Sequence, residues 1–195
     1  MTFQNFKTAP RGRQAAENTM KTDGGVMDEA AEATTELDCF KLFMDESIIT
    51  DVTELTNRNI QGHLDKLSPE KLKMIQTKNV FIRVTTEEEV LAYLGLMYMR
   101  GCYQWNYWDV QRVWATHPIF SATMSINRFW FLSRFFVMDD TTTREDRYPT
   151  DKFAAVRDIF ERWNENCGCA LQMGDYGDIK MFVIINMFHF FLQVP

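Results

Sequence analysis

The sequence predicts a mostly α-helical fold. Three observations carry that expectation: apolar residues recur at helical spacing through residues 119–163, helix-start signals precede several such runs, and no stretch before Lys180 alternates convincingly at period two. With 195 residues, 46% of them hydrophobic and 14% aromatic, the chain can bury a sizeable core, and its length favours one domain plus a tail.

Residues 1–37 are rich in Ala, Thr, Glu, Asp and Gly, with few large apolar side chains beyond Phe3 and Phe6. Ordering them would cost more conformational entropy than their burial returns, so they are expected to be a disordered tail. Lys7, Arg11 and Arg13 form a small basic cluster there, best read as solvated. The N-terminus lacks the apolar core of a signal peptide, which argues against secretion.

A helical domain is expected over 38–178. Phe40, Phe43, Ile48, Ile49, Val52 and Leu55 form a stripe that suits one long or two short helices. Ser68-Pro69-Glu70 then reads as a helix start, because Pro suits the first turn and Ser can cap it; Leu72 and Ile75 follow. Thr86 and Glu89 have capping-box spacing ahead of Val90, Leu91, Leu94, Met97 and Tyr98, and Gly101 is expected to end that helix. The aromatic segment after it, with Tyr103, Trp105, Tyr107, Trp108 and Trp114 near Arg112, reads as an irregular loop anchored by its rings. Stacking on nucleic-acid bases is the alternative reading.

In 119–163, Ser125 is a plausible cap for a helix that puts Phe129, Leu132 and Phe136 on one face and Asn127, Arg128 and Arg134 on the remainder. A second helix is expected from Thr150, with Phe153, Val156, Ile159, Phe160 and Trp163 on its apolar face. The final segment, 179–195, is dense in Phe, Ile, Val and Met. It is shorter than the roughly 20 residues that span a bilayer and is interrupted by Lys180, Asn186, His189 and Gln193, so a membrane anchor is the lesser reading.

A net charge of −6 argues against nucleic-acid binding by bulk electrostatics, while leaving room for a local basic patch. Arg144 and Arg147, near Lys152 and Arg157, are the candidates for DNA phosphate contact, because a guanidinium can engage phosphate oxygens in pairs. Glu145, Asp146, Asp151 and Asp158 dilute that patch, and local salt bridging is at least an equal reading. The pairs Asp139-Asp140 and Asp45-Glu46 are expected at helix ends, as caps or solvated charges rather than acid/base groups.

Cys39, Cys102, Cys167 and Cys169 lack a paired CxxC layout or a dense disulfide framework, which suits a reducing compartment. The Cys167-Gly168-Cys169 run lacks the further ligands of a zinc site, and His63, His117 and His189 are scattered. No catalytic residue, cofactor-binding residue or metal ligand is assigned.

The order TNRN (56–59), TTEEEVLAYLGLMYMRG (85–101), PIFSATMSINRFWFLSRFFVMDD (118–140) and TREDRYPTDKFAAVRDIFERWNENC (143–167) resembles the N-terminal half of piggyBac-type transposases. The resemblance spans about Phe40 to Cys167. It implies a helical dimerisation and DNA-binding region, with at most the first strand of an RNase H-like core at the C-terminus. In the family that core carries three Asp residues holding two divalent metals, which activate the attacking oxygen and stabilise the leaving one.

Continued without a gap from Asn166-Cys167, the first such Asp falls on Lys180, a cation that cannot ligate Mg²⁺. In a second register, in which YGDIKMF (176–182) matches a later family strand, the segment bearing that Asp is missing altogether. The resemblance therefore implies a truncated transposase-derived protein without transposase activity. DNA and a second copy of the chain are its expected partners, with no small-molecule substrate and a nuclear location. No cofactor is expected, Mg²⁺ belonging only to the full-length family. The two alternatives are an incomplete gene model of an active transposase and a protein-interaction module that does not bind DNA.

Overall fold

The computed structural model describes residues 25–172, and their architecture is helical. A two-residue strand β1 (Gly25–Val26) leads into α1 (Asp28–Ala31), α2 (Glu36–Phe43), α3 (Glu46–Leu64), α4 (Pro69–Lys78) and α5 (Glu87–Cys102). A single 3-10 turn (Trp105–Tyr107) precedes α6 (Val110–Thr116), α7 (Pro118–Thr123), α8 (Ile126–Phe135), α9 (Arg144–Arg147) and α10 (Arg157–Ala170), and the second short strand is β2 (Leu171–Gln172). The strands pair antiparallel, Gly25 opposite Gln172 and Val26 opposite Leu171, and the Met27 N–H donates to Ala170 O at 3.0 Å. Elements of two residues are too short to register as an alternating pattern, which is why none was expected before Lys180.

Of the stretch expected to be a tail, residues 25–37 carry β1, α1 and the start of α2. Thr35 and Asp38 form a reciprocal capping box there: the Asp38 N–H donates to Thr35 Oγ1 at 3.1 Å and the Thr35 N–H to Asp38 Oδ2 at 3.0 Å. Residues 1–24 and the apolar run 179–195 lie outside the described residues.

The stripe that suited one helix or two is two. The break falls at Met44-Asp45, where Asp45 Oδ1 accepts the Ile48 N–H at 2.8 Å and starts α3. Ile48, Ile49, Val52, Thr56, Ile60 and Leu64 then follow one another down the buried side of that helix. α5 lies deep between neighbours, with Val90, Tyr93, Leu94, Leu96, Met97 and Arg100 all buried. It does not end at Gly101. The chain runs to Cys102 and reverses at Gln104, whose φ of 58° is the left-handed value usually left to glycine.

Three apolar clusters hold these helices. The first joins Ile48, Ile49 and Val52 of α3 to Val90 and Leu94 of α5 and to Ile159 and Trp163 of α10. The second gathers Tyr93 and Met97 of α5, Trp114 of α6, Phe120 of α7, and Phe129 and Leu132 of α8. The third sets Phe131 and Phe135 of α8 against Ile60 and Leu64 of α3, with Leu72 of α4 packed on it. α8 thus feeds two clusters. Each fully buried side chain of this size contributes about 1.5–3 kcal/mol.

Ser125 caps α8 as its position suggested, its Oγ accepting the Arg128 N–H at 3.3 Å. Arg128, assigned by periodicity to the polar remainder, is instead 4% exposed. The helix expected from Thr150 begins only at Arg157. Residues 151–156 form turns, the Ala154 N–H donating to Asp151 O and the Val156 N–H to Phe153 O, and side chains take two further backbone groups: the Phe153 N–H donates to Asp151 Oδ1 at 2.9 Å, and Arg147 Nη1 donates to Ala154 O at 2.9 Å. Val156 and Ile159 still reach the first cluster, so the apolar spacing marked burial but not the helix start. The aromatic segment is also more ordered than a loop, since it holds the 3-10 turn and α6, with Trp114 Nε1 donating to Met124 O at 2.9 Å.

Candidate nucleic-acid interface

The sequence strings that set this chain apart meet in space and brace one another. In Thr56-Asn57-Arg58-Asn59, three side chains reach the segment 135–140 at the end of α8 and the fourth, Asn57, reaches the loop before α5. Thr56 Oγ1 lies 3.4 Å from both the N–H and the carbonyl of Val137, and Asn59 Nδ2 donates to Phe135 O at 2.9 Å. Asn57 pairs with both backbone groups of buried Thr85, donating to its carbonyl at 2.9 Å and accepting its N–H at 2.7 Å. Arg58 reaches Asp140 at 3.3 Å.

Arg128 spends all five guanidinium protons. Nε and Nη2 donate to the two carboxylate oxygens of Glu89 at 2.9 and 2.7 Å, Nη1 donates to the carbonyls of Phe81 and Arg83 at 2.7 Å each, and Nη2 also donates to Val84 O at 3.1 Å. Burial pushes the Glu89 carboxyl up, but hydrogen bonds and charge from Arg128, with Thr85 and Arg83 helping, outweigh it and hold the group below its ordinary value. Glu89 therefore does not complete the capping box with Thr86. Thr86 Oγ1 accepts the Glu89 N–H at 3.3 Å, while the Glu89 carboxylate faces Arg128.

The four residues expected to contact phosphate are mostly committed inside the chain. Arg144 and Arg147 converge on Asp139, Arg147 Nη2 at 2.8 Å and Arg144 through both Nε and Nη2. Asp139 is 2% exposed, so it is neither a cap nor a solvated charge as its position suggested. Arg157 holds Asp151 in a two-point pair at 2.7 and 2.9 Å, and those bonds keep the Asp151 carboxyl down at about 2. Lys152 rests over the Tyr148 ring at 4.2 Å and has no ion pair among the described residues. Residues 144–158 hold four cations and four acidic side chains, a local balance of zero.

Cations without an ion pair among the described residues concentrate elsewhere. Lys66, Lys71, Lys73 and Lys78 are all exposed, and residues 66–78 contain four lysines against one acidic side chain, Glu70. α4 carries three of them and docks through Leu72 onto the cluster of Phe131 and Phe135. Arg134 is exposed on α8, its guanidinium 5.8 Å from the centroid of the Phe135 ring. An open cleft of about 730 Å³ begins at Lys78, where Arg83, Asn79, Thr86 and Asn127 also line it. The charge count of 66–78 against 144–158 is the sequence signal for these lysines.

Among the described residues, no group of three His, Cys, Asp or Glu side chains is arranged to hold a metal ion. Lys180 lies outside them. Cys167 is half-buried against the first cluster, and burial pushes its thiol up, while Cys39, Cys102 and Cys169 are exposed. No helix among the described residues is long and apolar enough to cross a membrane.

The family described as Transposase IS4 matches residues 35–184. Among solved structures, the chain is similar to a piggyBac transposase seen by cryo-EM in a synaptic complex with hairpin DNA, at 25% sequence identity and a TM-score of 0.66. That similarity covers 78% of this chain and 30% of the transposase chain. Curated proteins provide no match.

Proposed function

The chain belongs to the IS4/piggyBac-type transposase family, and on that premise we propose that its helical region is a DNA-contacting module whose described residues do no strand chemistry of their own. The observation that carries the proposal is the separation of two kinds of cation. Arg128, Arg144, Arg147 and Arg157 are spent on carboxylates within the chain, whereas Lys66, Lys71, Lys73 and Lys78, on and just before α4, are exposed and have no ion pair among the described residues. Such a local excess of lysines gains affinity by releasing counterions from phosphates, which a chain of net charge −6 can do only where its positive charge is locally concentrated.

Lys152, without an ion pair among the described residues, is a second phosphate contact in this reading. Arg144 and Arg147 contribute only by leaving Asp139. DNA is held without a metal ion. A nuclear address and pairing with a second copy of the chain belong to the proposal through the family alone.

The test is equilibrium binding of the full chain to duplex DNA over a salt series. Affinity that falls steadily with salt supports the proposal. Absence of binding at low salt sinks it and favours a module that binds only proteins.

A further inference from the structure

Three rings form a stack at the surface beyond the end of α5. Tyr103 and Trp105 lie with centroids 4.7 Å apart and planes 17° from parallel, and Trp105 and His117 lie 3.8 Å apart at 18°. The inner end of the stack is fixed. Trp105 meets buried Phe120 edge-on at 5.9 Å, and His117 joins α6 to α7. The buried His117 Nε2 has no hydrogen-bond partner among the described residues, so ring stacking is what holds that imidazole.

The outer end is open, because Tyr103 is 62% exposed. Its place is set by the C-terminus of α5, where its N–H donates to Met99 O at 3.1 Å, and by the left-handed turn at Gln104. A non-glycine residue holds that conformation only where its surroundings enforce it. Beside the stack, the Arg112 guanidinium lies 4.2 Å over the Trp108 ring and pairs with no carboxylate among the described residues. Trp108 in turn lies 6.4 Å from Trp105 and 6.2 Å from His117, so an open ring face at Tyr103 and an unneutralised cation at Arg112 adjoin the same stack.

We propose that this stack receives an unpaired nucleobase of DNA, which lies flat on the Tyr103 ring while Arg112 meets the adjoining phosphate. The proposal rests on the DNA-contacting reading and names a partner for a second surface. A planar base continues a parallel ring stack, whereas a protein partner would be served better by a contiguous apolar hollow than by ring faces beside a cation. The transposase to which the chain is similar was seen with hairpin DNA, and a hairpin turn is where bases lose their pairing partners.

The experiment compares binding of the full chain to a DNA hairpin with unpaired turn bases and to a blunt duplex with the same stem, at one salt concentration. A 2-aminopurine placed in the turn reports stacking. Tyr103→Ala should weaken hairpin binding by about 5- to 100-fold, leave duplex binding as in the parent, and abolish the quenching of 2-aminopurine. Tyr103→Phe should keep both the affinity and the quenching, and Arg112→Ala should weaken the hairpin alone. An unchanged thermal melt of Tyr103→Ala establishes that the variant folds. Hairpin binding by Tyr103→Ala equal to the parent's overturns the proposal. A parent that binds duplex and hairpin equally also overturns it and leaves the DNA-contacting reading standing, whereas a parent that binds neither overturns both.

Discussion

Arg128 of α8 and Glu89 of α5, 39 residues apart in sequence, form a two-point ion pair in which the arginine is 4% and the glutamate 15% exposed. The same guanidinium binds three carbonyls of one loop, those of Phe81, Arg83 and Val84. One side chain therefore joins two helices to the segment that leads from α4 into α5. Arg128→Ala would leave Glu89 and these carbonyls without their main partner, and breaking such a pair costs about 3–5 kcal/mol. Arg128→Lys should rescue little, because an ammonium cannot reproduce the five-proton fork. Thermal or urea melts of the two variants measure this.

The sign of the acid response follows from Glu89. Its folded-state pKa lies below the ordinary 4.5, so its contribution to stability is fully present above the unfolded value and is lost as pH falls through the lower folded value. The melting temperature should be flat near neutrality and should drop on acidification below about pH 4.5. Glu89→Gln should melt lower than the parent at neutral pH and show a shallower acid drop. A parallel loss in both proteins would place the acid sensitivity elsewhere.

Asn57 makes two hydrogen bonds to the backbone of buried Thr85, at 2.7 and 2.9 Å. Asn57→Ala should cost about 1–3 kcal/mol, since a buried donor and acceptor would be left unsatisfied. Asn57→Asp should also destabilise, because a carboxylate has no N–H to give the Thr85 carbonyl. Amide hydrogen exchange at Thr85 reads the effect at its source.

DNA binding by the full chain should be unchanged by EDTA. Phosphate contact through lysine needs no divalent ion, and the described residues offer no metal-holding group. A large loss of affinity in EDTA, restored by Mg²⁺, would point to metal-dependent contact instead.

Much of this fold could be read from sequence where the signal is local. Asp45, Ser125 and the Ser68-Pro69 start all sit where spacing placed them, because a cap and the apolar period need only neighbouring residues. The failures have a common cause. Arg128, Asp139 and Glu89 carry charge, and local pattern assigns charge to solvent or to helix ends; the burial of the first two and the partial burial of Glu89 depend on partners that only the tertiary fold supplies. Thr150 failed for the opposite reason, since Asp151 and Arg147 offer the 151–156 backbone hydrogen bonds that compete with a helix. The lysines of 66–78 are legible as a charge count, whereas the arginines of 144–157, whose geometry suits phosphate better, have charges that the fold has already spent.

The most direct measurement is the salt dependence of duplex binding by the parent and by a variant with Lys66, Lys71, Lys73 and Lys78 all changed to Gln. Each phosphate contact contributes about 0.9 to the slope of log affinity against log salt. We expect the variant to bind more weakly with a slope shallower by about 2–4, while its thermal melt stays near the parent's because all four side chains are exposed. Equal slopes in the two proteins, or a parent whose binding ignores salt, would contradict a DNA-contacting role for α4.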